Sequence, residues 1–224
     1  MISENLRQVK QEIQDSCALV SRLASEVTLV AVTKTVNTQK TIEVVKAGVS
    51  HCAENRVDSF LAKKQEIDDE LSITWHFIGN LQRRKVKSVI NEIDYFHALD
   101  SLKLAQEIQK RAIKKIRCFV EVNVSGEESK QGIAPKEVKT FIEQLAVMNQ
   151  IEIVGLMTMA PFDSTPIEQR QVFHQLKQLQ QEIADAQLSY APCHELSMGM
   201  SNDFAVAIQA GATFVRVGTA LFKE

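Results

Sequence analysis

CHELSMGMSNDFAVAIQAGATFVRVGTALF, residues 193–222, contains a complete strand–helix–strand unit. It reads as a short strand (193–197), a glycine-containing loop, a helix (202–210), a second strand of alternating apolar residues (213–218) and a second glycine loop. Ser201 is placed to cap the helix, and Asp203 falls in its first turn, where a carboxylate complements unpaired N–H groups. Two strands joined through a helix are neighbours in a parallel sheet, because a parallel pair needs a crossover of that length.

The same alternation runs back to the amino terminus. VTLVAVT (27–33), SHCAE (50–54), ITWHFIG (73–79), DYFHAL (94–99), IRCFVEVN (116–123) and IEIVGLM (151–157) read as six further strands. Helical patterns fit between them at 38–47, 56–65, 81–91, 101–111, 135–149 and 166–186, and an amphipathic helix at 4–24 precedes the first strand. Eight strand–helix units predict an α/β fold, a closed (β/α)8 TIM-type barrel with an extra N-terminal helix. An open doubly wound sheet is the alternative the same pattern allows. No Gly/Ser-rich linker or short repeat interrupts the chain, so one domain over 1–224 is expected.

Composition narrows the partners. Of the 224 residues 45% are hydrophobic and 24% charged, enough burial for an ordered globular chain, and a net charge of −2 offers no field for nucleic acid or an anionic membrane. The opening MISENLRQVKQEIQDS lacks the apolar core of a signal peptide, and no apolar run is of membrane length. A cytoplasmic protein is expected. Cys17, Cys52, Cys118 and Cys193 are scattered, without a C-x-x-C pair, and read as buried, reduced thiols.

In such a barrel, chemistry belongs at the carboxyl ends of the strands. Lys34, in AVTKT (31–35), stands there after the first strand; it is either a solvated surface residue or an amine poised for a Schiff base, which low-polarity walls would favour by easing loss of its proton. AENR (53–56) brings Glu54 and Asn55 to the second loop, and WHFIGNLQRRK (75–85) brings Gly79, Asn80 and Gln82 to the third. His76 points inward by alternation, as a ligand contact or as a hydrogen-bonded core residue, and Arg83–Arg84–Lys85 reads as a solvated helix face. Ser201, Gly218 and Thr219 lie in the loops after the last two strands, where backbone N–H groups and hydroxyls commonly cradle a phosphate. Arg216 alternates toward the mouth and needs an acceptor there, such as a pyridine nitrogen or a carboxylate in an ion pair.

Taken in order and spacing, AVTKT, AENR, WHFIGNLQRRK, VNVSGEESKQGI (122–133), GLMTM (155–159), HELSMGMSNDF (194–204) and VRVGTALF (215–222) resemble the pyridoxal phosphate homeostasis proteins, the YggS or PROSC family. The resemblance spans essentially the whole chain. It implies a fold-type III barrel like the N-terminal domain of alanine racemase, with pyridoxal 5'-phosphate (PLP) held as a Schiff base on Lys34. It further implies that Asn55 and His76 line the cofactor ring, Arg216 faces the pyridine nitrogen, and Ser201, Gly218 and Thr219 hold the phosphate. The chain departs from the family pattern at Ala53, Arg56 and Asn80, where glycine, an aromatic residue and proline are expected.

The family is associated with buffering or delivering the cofactor rather than with robust catalysis, which implies PLP-dependent apo-enzymes as partners and a monomeric carrier. Racemisation needs acid–base groups on both faces of the reacting carbon, and Lys34 supplies one. In racemases a tyrosine of an added β-domain supplies the other, whereas this chain ends shortly after its eighth strand. Tyr95 and Tyr190 fall at the wrong ends of their strands for the role. A non-enzymatic PLP carrier is therefore expected, with a small PLP-dependent racemase, or a Schiff-base aldolase acting on a sugar phosphate, as alternatives.

Overall fold

The structure, a computed structural model, describes residues 1–68, 71–127 and 131–223. Its strands are β1 (Thr28–Val32), β2 (His51–Glu54), β3 (Thr74–Phe77), β4 (Tyr95–Leu99), β5 (Ile116–Glu121), β6 (Ile151–Met157), β7 (Glu195–Ser197) and β8 (Phe214–Val217). Each pairs in parallel with the next, and β8 pairs with β1 through Thr28↔Phe214 to Ala31↔Val217, so the sheet closes on itself. The expected barrel is the observed one, and the β1–β8 pairing excludes the open sheet. The crossovers carry α2 (Thr38–Lys46), α3 (Val57–Glu66), α4 (Arg83–Val89), α5 (Leu102–Arg111), α6 (Val138–Gln144), α7 (Pro166–Ala184) and α8 (Phe204–Gln209); α1 (Ile2–Ala18) precedes the barrel and α9 (Thr219–Phe222) follows it. Residues 128–130 of the VNVSGEESKQGI block lie outside the described residues.

Helix α1 ends sooner than its apolar pattern suggests. Ser21 turns into the left-handed region (φ 56°), the Arg22 N–H bonds back to the Cys17 carbonyl at 3.0 Å, and a 3-10 turn at Ala24–Glu26 leads into β1. Within α1, Ile2, Leu6, Val9, Ile13 and Cys17 recur every three or four residues, and this buried stripe packs on α8 and α9. Burying each of the larger apolar side chains stabilises by about 1.5–3 kcal/mol. Asn5 adds direction: its Nδ2 donates to the carbonyls of Leu221 (3.0 Å) and Lys223 (2.9 Å), tying the first helix to the end of the last.

Alternation along the strands divides outward apolar residues from a ring-filled interior. On β3, Trp75 packs outward on Phe60 of α3 with ring centroids 5.2 Å apart, while the next residue, His76, points into the barrel. Phe214 is the hub of that interior, with its ring 5.3–6.4 Å from those of His51, His76, Tyr95, His97 and Phe119. The four cysteines are free and buried, as expected, and burial pushes the thiols of Cys52 and Cys193 up to about 12, which leaves them inert near neutrality.

Candidate functional site

Lys34 sits in a tight turn at the carboxyl end of β1, and its neighbour Thr33 is held at every polar atom. The Thr33 N–H donates to the Ala53 carbonyl (3.0 Å), its hydroxyl to Glu54 Oε1 (2.6 Å), and its carbonyl accepts from both the Val36 N–H (3.1 Å) and Lys63 Nζ (2.8 Å). Lys63 is also ion-paired to Glu54 Oε1. Glu54 is wholly buried and its Oε2 has no hydrogen-bond partner. A buried charge pair therefore clamps the backbone that presents Lys34. Lys34 itself is exposed on the mouth, so its side chain does not meet the low-polarity walls expected of it.

Asn55 follows Glu54, half-buried at the rim. Gly79, after β3, crosses it so closely that a Cβ would lie 2.1 Å from the Asn55 carbonyl oxygen, so only glycine lets these two loops touch.

The two late loops converge. Ser201 Oγ accepts from the backbone N–H groups of Gly218 (3.3 Å) and Ala220 (3.2 Å), which focuses two donors on one oxygen position. Gly199 (φ +92°) makes the preceding turn, and its carbonyl accepts from the Arg216 N–H at 2.9 Å. Asp203, expected in the first turn of α8, is its N-cap residue and accepts from the Met200 N–H at 2.6 Å. Thr219 stands exposed at the start of α9. Because β8 pairs with β1, these donors lie beside Lys34: a Cβ on Gly218 would be 3.2 Å from the Val32 carbonyl oxygen, two residues before the lysine.

Arg216 turns inward as expected and is 4% exposed. Its Nη1 donates to Ser197 Oγ (2.6 Å) and its Nη2 to the Thr158 carbonyl (3.0 Å). Burial lowers its pKa to about 10, while Asp203 and Glu121 act to raise it. Glu121, at the end of β5, is raised to about 7 by burial and by Asp100, with Arg216 pulling the other way. Asp100 is itself raised, chiefly by burial. One guanidinium thus faces carboxyls that burial inclines toward the protonated form.

His76 points into the barrel, as alternation implied. It is fully buried, and its two nitrogens lie 2.8 Å from His51 Nδ1 and from His97 Nε2. Of the two readings open in the sequence, the hydrogen-bonded core residue describes its position. Tyr95 and Tyr190 stay away from the mouth as expected, and the Tyr95 hydroxyl accepts from Arg117 Nη1 at 2.6 Å.

Sequence reasoning passed over Lys63, His97, Ser197 and Glu121. Lys63 had a signal, since it continues the buried stripe Val57–Phe60 of α3 at the same spacing of three, where a lysine needs a partner. His97 and Glu121 could have been found by alternation from Tyr95 and Phe119. Nothing local singles out Ser197. Among the described residues no group of histidine, cysteine and carboxylate side chains could hold a metal ion, and no helix is long and apolar enough to cross a membrane.

The family model described as alanine racemase, N-terminal domain, matches residues 2–224. A pyridoxal phosphate homeostasis protein of Aquifex aeolicus is 40% identical, the match covering 99% of this chain and 97% of the relative. Among solved structures, PipY of Synechococcus elongatus with PLP bound superposes with a TM-score of 0.85 at 32% identity, over 99% of this chain and all of that one. The alanine racemase of Corynebacterium glutamicum shares the fold, with a TM-score of 0.73 at 12% identity, over all of this chain and 60% of the racemase.

Proposed function

This chain belongs to the alanine racemase N-terminal domain family and, within it, to the pyridoxal phosphate homeostasis proteins, and from that premise we propose that it binds PLP as a Schiff base on Lys34 and serves intracellular PLP homeostasis as a carrier. The observation that carries this is the adjacency of β1 and β8, which sets an exposed amine next to two converging N–H donors and a hydroxyl. The residues fit the group. Ser201, its oxygen fixed by the Gly218 and Ala220 N–H groups, keeps its own hydrogen to donate to a phosphate oxygen, Thr219 would add its hydroxyl, and Asn55 would flank the ring. Arg216 is a buried cation able to donate to the ring nitrogen.

When bound, PLP supplies an aldehyde and an electron-withdrawing ring. Lys34 would hold the aldehyde end through its amine, Ser201 and its neighbours would hold the phosphate end, and Arg216 would donate to the ring nitrogen, which would weaken the ring as an electron sink. A racemase would need a second acid–base group. Tyr95 is engaged by Arg117, and Tyr190 precedes β7, so neither tyrosine supplies one. Delivery to PLP-dependent apo-enzymes in the cytoplasm, by a monomer, completes the proposal.

Borohydride reduction after incubation with PLP, followed by peptide mass spectrometry, is expected to fix one pyridoxyl group on Lys34. Labelling of a different lysine, or undiminished labelling of Lys34→Ala, refutes the assignment. Solvent-deuterium uptake at the Cα of an amino acid that depends on Lys34 would establish the enzyme instead of the carrier.

A further inference from the structure

The barrel axis holds an unbroken file of hydrogen bonds. Arg216 Nη1 lies 2.6 Å from Ser197 Oγ; Ser197 Oγ is 2.8 Å from His97 Nδ1, His97 Nε2 is 2.8 Å from His76 Nδ1, and His76 Nε2 is 2.8 Å from His51 Nδ1. Ser197, His97 and His76 have no exposed surface, and His51 is half-buried at the opposite, N-terminal face. There it borders a cavity of about 450 Å³ shared with Lys10, Gln14 and Ser50.

Proton counting gives the file a direction. An arginine can only donate, so Ser197 Oγ accepts from Arg216 and turns its single hydrogen to His97 Nδ1. Burial holds His97 and His76 neutral, with one N–H each. His97 must then donate from Nε2 to His76, and His76 from Nε2 to His51, which leaves the His51 Nε2–H facing the cavity. The opposite polarity would leave the Ser197 hydrogen without an acceptor in the file.

We propose that His51, His76, His97 and Ser197 form one switchable relay, which couples the protonation of His51 on the N-terminal face to the direction of the Ser197 hydroxyl beside Arg216 at the mouth. An added proton can rest on His51 Nδ1 only if every bond reverses. His51 then donates to His76 Nε2, His76 donates from Nδ1 to His97 Nε2, and His97 donates from Nδ1 to Ser197. The serine oxygen accepts from both His97 and Arg216, and its hydrogen is released from the file toward the mouth, where water or a ligand oxygen can accept it. Proton numbers balance: each interior histidine keeps one N–H, Ser197 keeps one O–H, and the single extra proton resides on His51.

The groups that bias His51 are Arg117 of β5, which opposes the charge, Asp94 ahead of β4, which favours it, and His76. Lys10 of α1 borders the same cavity, and Asp94 is already engaged by Lys114 and the Trp75 N–H. At the far end stand Arg216, Glu121, Asp100 and Asp203. Burial sets the switch below the ordinary histidine range. The consequence for a ligand rests on the PLP proposal above: a ligand acceptor within reach of the Ser197 hydroxyl gains that donor when His51 is charged, and by reciprocity its binding favours the charged His51.

Nitrogen-15 histidine spectra of the full chain test the relay without the cofactor. His76 and His97 are expected as single Nε2–H tautomers near neutral pH, and the His97 resonances are expected to shift in the same acid titration as His51. In His51→Gln or His51→Phe that shift at His97 disappears. A His97 bearing its proton on Nδ1 at neutral pH, or one indifferent to the titration of His51, overturns the relay. The PLP dissociation rate, measured over the same range, is expected to fall severalfold as His51 charges and to become flat in the His51 variants. A rate that ignores pH while the histidines titrate together refutes the placement of the ring beside Arg216 and leaves the relay standing.

Discussion

Replacing Lys63 with methionine is the sharpest test of how Lys34 is presented. Methionine matches the lysine stem in volume, so the loss is the charge and its donors. Lys63→Met leaves Glu54 wholly buried with Thr33 Oγ1, at 2.6 Å, as its remaining donor, Oε2 already having none. The Thr33 carbonyl falls back on the Val36 N–H alone. Stranding one member of a buried pair costs about 3–5 kcal/mol, a large share of the roughly 5–15 kcal/mol that holds a domain together. At about 2–4 °C per kcal/mol for a chain of this size, the midpoint should drop by roughly 6–20 °C. The double variant Glu54→Gln, Lys63→Met removes both charges and should recover most of that loss. Urea and thermal unfolding followed by circular dichroism measure all three proteins, and PLP titration at a temperature where each is folded reads the Lys34 turn. A Lys63→Met protein within about 1 kcal/mol of the wild type, or a double variant no better than the single, would refute the clamp.

Ser201→Ala removes the oxygen on which the Gly218 and Ala220 N–H groups converge, and should weaken PLP binding about tenfold in equilibrium dialysis while barely moving the unfolding midpoint. In Gly199→Ala the new Cβ would fall 2.6 Å from that of Ala207 at a φ of +92°, so the variant should lose roughly 2–4 kcal/mol in urea denaturation. Glu121 titrates near 7 in the folded protein, above its value in the unfolded chain, so its contribution to stability is present at low pH and lost as pH rises from about 4.5 through 7. Glu121→Gln lacks that loss, and the wild type minus variant stability, from urea titrations at pH 4.5, 6 and 8, should fall steadily across the window.

The elements were legible because barrel folding is written in local periods. Each buried strand shows as a short apolar run, and each crossover helix as a stripe recurring at three and four residues. The error in α1 has a local cause, since its apolar pattern continues past the point where Ser21 leaves the helical region. The mouth residues were legible for a related reason. Barrel loops follow strand ends, so Lys34, Asn55, Ser201, Gly218 and Thr219 could be placed from strand assignments alone.

Alternation showed that His76 points inward, and did not show how deep it lies or what meets it there. Its partners His51 and His97 arrive from strands that lie beside β3 only once the barrel forms. Lys63 and Glu54 meet across nine residues, and Arg216 and Ser197 across nineteen. The strands and helices, the family resemblance and the lysine at a strand end were therefore legible from residue types at short range, where sterics and apolar periodicity act. Closure of β8 onto β1 decided the rest. Burial removes water as a partner, so each interior polar atom must find another inside the barrel, and which one it finds depends on the register of eight strands at once.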